Sequence, residues 1–374
     1  MDVMSQAAEL ECMGTDVIHM EVGQPGTPAP AKSRKAAAHA LEADPLGYTV
    51  AAGLPKLRER ISRHYRDHYA IDVDPTRILI TTGSSAGFVL SFLALFDVGS
   101  KIGLPVPGYP CYRQILKALG QHEVPLRTTH GSRWMPTVED IANAQRTDGI
   151  AGVLIASPAN PTGTMLSPDR LRDICDYCDE NGLWFLSDEI YHGLSYGERE
   201  ETALRFGSNV VVINSFSKYH SMTGWRIGWV VVPDGLQDVF ERLQQNLYIS
   251  PPTISQIAAE AAFDATQELE NNRNVYRENR QLLLDGLKET GFAQSVPADG
   301  AFYLYCDVSD WCTNSLELSK QILNQAYVAL TPGIDFDQTE GHRYIRLSYA
   351  RSTEDIREGI ARLQNWWAHR SQTG

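Results

Sequence analysis

Residues 210–229 read VVVINSFSKYHSMTGWRIGW. Val210 to Asn214 is apolar nearly throughout, as expected of a strand whose sheet is covered by helices on both faces. Ser215, Ser217, Lys218 and Arg226 cluster between this run and a second apolar run, Ile227 to Val232. A lysine at the end of a buried strand is rare as a purely structural residue, because an unpartnered ammonium is costly to bury. If its pKa is lowered, such a lysine becomes a Schiff-base nucleophile.

Outward from this stretch, short apolar runs alternate with helical patterns. Ile78–Thr82, Lys101–Leu104, Val153–Ser157 and Leu183–Asp188 read as further strands, and Gly87–Phe96 as a buried helix. Leu54–Tyr69 has helical spacing at Leu57, Ile61 and Tyr65. The alternation predicts an α/β fold built on a mainly parallel sheet flanked by helices. After about residue 265 the pattern changes to a long charged helix over Glu268–Glu289, strands at Phe302–Cys306 and Tyr344–Tyr349, and a last helix from Thr353. We expect a large cofactor-binding domain over 31–265 and a smaller α+β domain made of 1–30 and 266–374. The Pro- and Gly-rich run EVGQPGTPAP at 21–30 is the loop between them. A prior of about 150 residues per domain agrees with two domains for 374 residues.

A formal net charge of −13 argues against nucleic acid as a main partner, while leaving room for a small anion in a local basic pocket. No apolar run is long enough to span a bilayer, and the N-terminus lacks a basic-then-apolar leader pattern. The expected location is cytoplasmic, with no membrane partner. No metal site is expected. Cys175 and Cys178 lie one turn apart on a helix framed by Ser167-Pro168-Asp169 and Gly182, with no second C-x-x-C. His64 and His68 lack the glutamate of H-E-x-x-H and read as part of a mostly solvated helix face.

In open α/β sheets, ligands bind outside the carboxyl ends of the strands, and the polar residues gather there. Thr82-Gly83-Ser84-Ser85-Ala86-Gly87 follows one strand and opens a helix, a place for a phosphate on free N–H groups. Ser157-Pro158-Ala159-Asn160-Pro161-Thr162-Gly163 follows the next relevant strand, and its prolines aim Asn160; a plain turn favours the same residue types. Ser187-Asp188-Glu189-Ile190-Tyr191 ends another, where the aspartate is either a helix cap or a ligand carboxylate.

Taken together these segments resemble the fold-type I pyridoxal-phosphate aminotransferases of class I/II, in the aspartate and aromatic branch. The resemblance runs from Gly23 to Arg346 with the motifs in family order. It implies pyridoxal 5'-phosphate as cofactor, carried by Lys218 as an aldimine, with Lys218 later moving the proton between Cα and the cofactor. It implies that Asp188 pairs with the ring nitrogen, that Tyr191 and Asn160 hydrogen-bond the ring oxygen, and that Tyr109 stacks on the ring. The phosphate is expected on backbone N–H groups at Ser84, Ser85 and Ala86, on the hydroxyls of Ser215 and Ser217, and on Arg226. Tyr48 matches a tyrosine that reaches the phosphate from a neighbouring subunit, which implies a homodimer with shared active sites. Arg346 matches the clamp on the substrate α-carboxylate, and Gly23 a loop glycine beside it. His192 has no role in this scheme beyond a structural one.

The activity so implied is ping-pong transfer of an amino group from an L-amino acid to a 2-oxo acid. A β-lyase would use the same lysine, aspartate and arginine. A cofactor-sensing transcription regulator would need an N-terminal DNA-binding extension, and no basic helix-turn-helix is present. No second arginine for an acidic side chain can be placed from the sequence.

Overall fold

The computed structural model describes residues 2–371. Its strands, in chain order, are β1 (Ile18–His19), β2 (Ile78–Thr81), β3 (Lys101–Val106), β4 (His122–Arg127), β5 (Gly152–Ala156), β6 (Trp184–Asp188), β7 (Val210–Ser215), β8 (Gly228–Val231), β9 (Tyr303–Asp307), β10 (Val328–Ala329), β11 (Thr331–Pro332) and β12 (Tyr344–Ser348). Seven form one sheet in the order β2-β8-β7-β6-β5-β3-β4. Its pairings are parallel from β4 through to β7, whereas β8 runs antiparallel to both β7 and β2. The fold is the α/β arrangement expected.

Strand periodicity explains why the central runs are apolar throughout. Val210 and Val212 of β7 enter one core with Phe185 and Trp229, while Val211 and Ile213 enter a second core on the opposite face with Leu154 and Leu186. The expected strands lie within a residue or two of those observed. The helix expected over Gly87–Phe96 starts a turn earlier, at Gly83. Several elements fall outside the sequence expectation, β4 and the N-terminal helix among them. β4 (HEVPLR) is an edge strand with a proline inside it and only Val124 and Leu126 buried, too weakly apolar to be read. The helix Asp2–Cys12 packs Val3 and Ala7 against Leu323 and Ala329.

The remaining strands build a smaller body. β9 and β12 pair antiparallel with β11 at the edge, and β1 pairs parallel with β10. A third core surrounds them, in which Ile18 and Met20 join Leu283, Leu304, Ile345 and Leu363. The N-terminal segment is thus tied to the chain's C-terminal third, and the Ser348 amide donates to the Met20 carbonyl at 2.7 Å. Among the described residues no helix is long and apolar enough to cross a membrane.

Candidate active site

A cavity of about 350 Å³ opens where the carboxyl ends of β2, β3, β5, β6 and β7 meet the smaller body. The parallel pairing puts these ends on one edge, so the polar turns after them converge. Gly23, Ser84, Ser85, Tyr109, Asn160, Tyr191, Ser217, Lys218, Arg226 and Arg346 all line it.

Lys218 reaches in from the turn after β7 and donates to the Gly23 carbonyl at 2.8 Å. Burial, with Arg346 next in weight and Arg226 adding to it, pulls its ammonium down from 10.5 to about 8, against the opposing pull of Asp188. Asp188, the last residue of β6, is 1% exposed. Burial pushes its carboxyl up to about 6, while a hydrogen bond from the Tyr112 hydroxyl, the Ile190 amide at 3.1 Å and Lys218 restrain the rise.

The helix Gly83–Leu95 points its N-terminus at the cavity, and Thr82 gives it no side-chain cap. Its first amides are therefore available to an anion. Arg226 stands beside it. A Cβ on Gly83 would lie 2.5 Å from Arg226 Nη2 and displace it, and at φ +73° a side chain would be strained. Arg226 itself has left-handed backbone angles (φ 51°, ψ 57°), an unfavourable state for a side chain with a Cβ that is characteristic of functional positions.

Arg346 on β12 is 6% exposed. Its Nη1 donates to Asn160 Oδ1 at 2.8 Å, and its Nη2 donates to the Glu21 carbonyl and to Thr331 Oγ1 at 3.2 Å. The guanidinium lies 4.4 Å from the Tyr303 ring centre and 4.9 Å from that of Phe336. Its buried Nε has no partner. A cation so fixed, with an unsatisfied donor, is prepared for a carboxylate.

Four of the sequence-predicted residues do not line this cavity. Asp188 lies behind Tyr112, and Ala86 is buried in the first turn of its helix. Ser215 turns its hydroxyl to Ser217 Oγ (2.9 Å) and the Ile227 carbonyl (3.1 Å). Tyr48 is 83% exposed. His192 is held by Tyr69 Oη at 2.6 Å and the Ser157 carbonyl at 3.0 Å, and burial lowers it to about 4. His64 and His68 depart from the solvated face expected: half-buried, they stack at 5.4 Å and line a separate cavity of about 240 Å³ with His192 and His220. Cys175 and Cys178 are buried core residues of the helix Pro168–Glu180.

Two tyrosines escaped the sequence reading. Tyr112 sits three residues after Tyr109, across Pro110 at the helix start, so helical spacing alone could have paired them. Tyr303 carries no local sign. Its hydroxyl meets that of Tyr191 at 2.7 Å and occupies the space a side chain at Gly23 would need, with a Cβ there only 2.0 Å away.

Residues 15–363 match the model of the family "Aminotransferase class I and II". The chain is 45% identical over 370 residues to the valine–pyruvate aminotransferase of Mycobacterium tuberculosis, covering 98% of this chain and 95% of that one. The crystal structure of a putative aminotransferase from Silicibacter pomeroyi superposes with a TM-score of 0.93 at 48% identity, covering 98% and 96%. Aspartate aminotransferase from Thermus thermophilus with maleate gives 0.91 at 29% identity, covering 96% and 94%.

Proposed function

The chain belongs to the class I and II aminotransferases, and from that premise we propose how its residues divide the work. The enzyme transfers an amino group from an amino acid to a 2-oxo acid with pyridoxal 5'-phosphate as cofactor. When bound, the cofactor supplies an aldehyde that condenses with amines and a ring that takes up the electron pair left by a departing Cα proton. The residues present fit it: the cavity has the size of a cofactor site, an uncapped helix end beside Arg226 makes an anion cradle, and a buried carboxylate and a depressed lysine stand in place.

Lys218, lowered toward the free amine, would hold the cofactor through its aldehyde group, and its Nζ would move the proton taken from the substrate Cα. Asp188 would keep a proton on the ring nitrogen, Tyr191 and the amide N–H of Asn160 would hydrogen-bond the ring oxygen, and Tyr109 would cover the ring. The amides of Ser84, Ser85 and Ala86, with Ser215, Ser217 and Arg226, would hold the phosphate. Arg346, flanked by Asn160 and Gly23, grips the α-carboxylate and turns the Cα–H bond toward Lys218. The same groups then serve the incoming 2-oxo acid, which makes the cycle ping-pong. The observation that carries this reading is the Lys218 amine itself, lowered to about 8 in a cavity it shares with Arg346 and beside buried Asp188.

Borohydride reduction of the loaded enzyme and peptide mapping tests it. The pyridoxyl group is expected on Lys218, and label on another lysine overturns the assignment. Turnover is expected to require a 2-oxo acid; release of pyruvate and ammonia without one would make the enzyme a β-lyase.

We also infer a homodimer in the cytoplasm, acting on small molecules only. Tyr48, Val50 and Ile249 are exposed apolar side chains, and the 47–50 loop is tied to 251–256 by hydrogen bonds from Thr253 to Gly47 and from Gln256 to Thr49. Such a patch supports an interface through which Tyr48 reaches the partner's phosphate. The separate cores support a large domain over 31–265 and a small one of 1–30 with 266–374.

A further inference from the structure

A cleft of about 520 Å³ lies apart from the active-site cavity and shares none of its lining residues. It follows the seam between the two bodies of the chain. Its charged residues are Arg133, Arg170 and Glu198 from the body of the seven-stranded sheet, and Arg280 and Asp299 from the smaller body. Arg170 stands in the first turn of the helix Pro168–Glu180, and Arg280 on the helix Thr266–Gly286, whose Leu283 enters the core of the smaller body. Tyr48, Val50 and Ile249, the exposed apolar side chains proposed for the subunit interface, are not among the lining residues.

The seam is pinned beside this cleft. Arg133 Nη2 donates to both carboxylate oxygens of Asp299, at 2.9 and 2.8 Å, and the Met165 amide donates to Asp299 Oδ2 at 3.3 Å. Asp299 is thereby matched by a cation of its own. The other two arginines are not matched. Arg170 Nη1 donates to the Ser132 carbonyl at 2.9 Å, and Arg280 Nε donates to the Ala298 carbonyl at 2.6 Å. Both side chains are half-buried, and among the described residues neither forms an ion pair with a carboxylate. Each carbonyl holds its guanidinium in place and leaves other donors of the fork for a ligand. Glu198 is the remaining acid of the lining, and it is exposed to solvent. In a chain of net charge −13, two arginines fixed by neutral carbonyls in one cleft are an unusual local excess of positive charge.

We propose that this cleft binds a small polyanion of the phosphate class on Arg170 and Arg280, and that the bound anion ties the two bodies together. A planar guanidinium presents paired donors that match the oxygens of a phosphate. Arg170 belongs to one body and Arg280 to the other, so the ligand needs both in place. The loop that presents Asn160 to the active-site cavity continues through Met165 and Ser167 into the wall of the cleft. The anion therefore sits behind the loop that meets the Arg346 clamp.

The test uses cofactor-loaded enzyme, so that the cofactor's own phosphate cradle is filled, and inorganic pyrophosphate as the probe. Binding is read by calorimetry against potassium chloride of equal ionic strength. Saturable binding is expected, and Arg170→Gln and Arg280→Gln are each expected to weaken it at least about tenfold, the effect of losing a charge-assisted contact. Glu198→Gln is expected to tighten it, and Arg346→Ala, in the other cavity, to leave it unchanged. Thermal midpoints without pyrophosphate report whether each variant folds. Arg170→Lys and Arg280→Lys keep the charge without the fork and are expected to fall between wild type and the glutamine variants, which preserves the comparison if a glutamine variant unfolds. Heats no larger than those of potassium chloride, or binding that survives both glutamine variants, overturn the proposal. Weakening by only one of the two would place the anion on a single body and overturn the bridge.

Discussion

Lys218 shows how environment makes a reagent of an ordinary side chain. At its usual pKa near 10.5, fewer than about one lysine in a thousand is uncharged at pH 7; at about 8, roughly a tenth is. Burial is the larger cause and Arg346 the next. Cofactor capture by cofactor-free enzyme is therefore expected to speed up with pH through about 8 and then level off, followed by the absorbance of the bound cofactor. Arg346→Ala should move that midpoint upward, because it removes the positive charge that most disfavours the ammonium. A wild-type profile still climbing steeply at pH 10 would mean that Lys218 is not depressed. The lysine was legible in the sequence because its context is local. The size of its shift was not, since Arg346 is far away in the chain.

At the scale of an element, the end of β6 separates two adjacent acids. Asp188 turns toward Tyr112 and the cavity side, while Glu189 turns to Ser187, Thr202 and the Ala203 amide in the interior. Burial lifts Glu189 to about 8, well above the usual glutamate value of 4.5. A carboxyl raised on folding lends stability that is full below about 4.5 and is lost as pH rises through about 8. Nearby His192, lowered to about 4, has the opposite sign, but only between about 4 and 6.5. From pH 6.5 to 8 His192 no longer contributes, and the loss due to His19, raised to about 9, is common to the wild type and a Glu189 variant. Across that interval the wild type is expected to lose denaturant stability relative to Glu189→Gln, whose amide mimics the neutral acid. Parallel curves for the two proteins would show Glu189 to be ionised throughout. The alternation that aims these side chains follows from the strand, which the sequence announced by its apolar run; the buried partners of Glu189 lie mostly on a later loop that it did not announce.

For the whole molecule, the question is whether one chain completes a site. Tyr48 is 83% exposed and lies outside the cavity. Mixing Tyr48→Phe with Lys218→Ala subunits should form hybrids with one intact site and one doubly damaged site. Activity on mixing is expected to exceed that of either parent, as measured after co-refolding or subunit exchange. Hybrids that form and show no recovery would place both residues in one subunit's site.

The sequence by itself determined the parallel α/β frame and the residues that end its strands. Strands covered on both faces must be apolar throughout, and chemistry placed at their ends appears as short polar turns in regular succession. It also marked Lys218, Asp188, Asn160 and Arg226, each recognisable from neighbours a few positions away. Tertiary structure alone decided the contacts between distant segments. Tyr112 meets Asp188 across 76 positions, Tyr191 meets Tyr303 across 112, and Arg346 meets Glu21 across 325. Only the folded chain brings the N-terminal loop, β9 and β12 around one cavity, and only there do burial and neighbouring charge set the Lys218 pKa. Periodicity reports which face of an element is buried; it carries no record of what lies opposite.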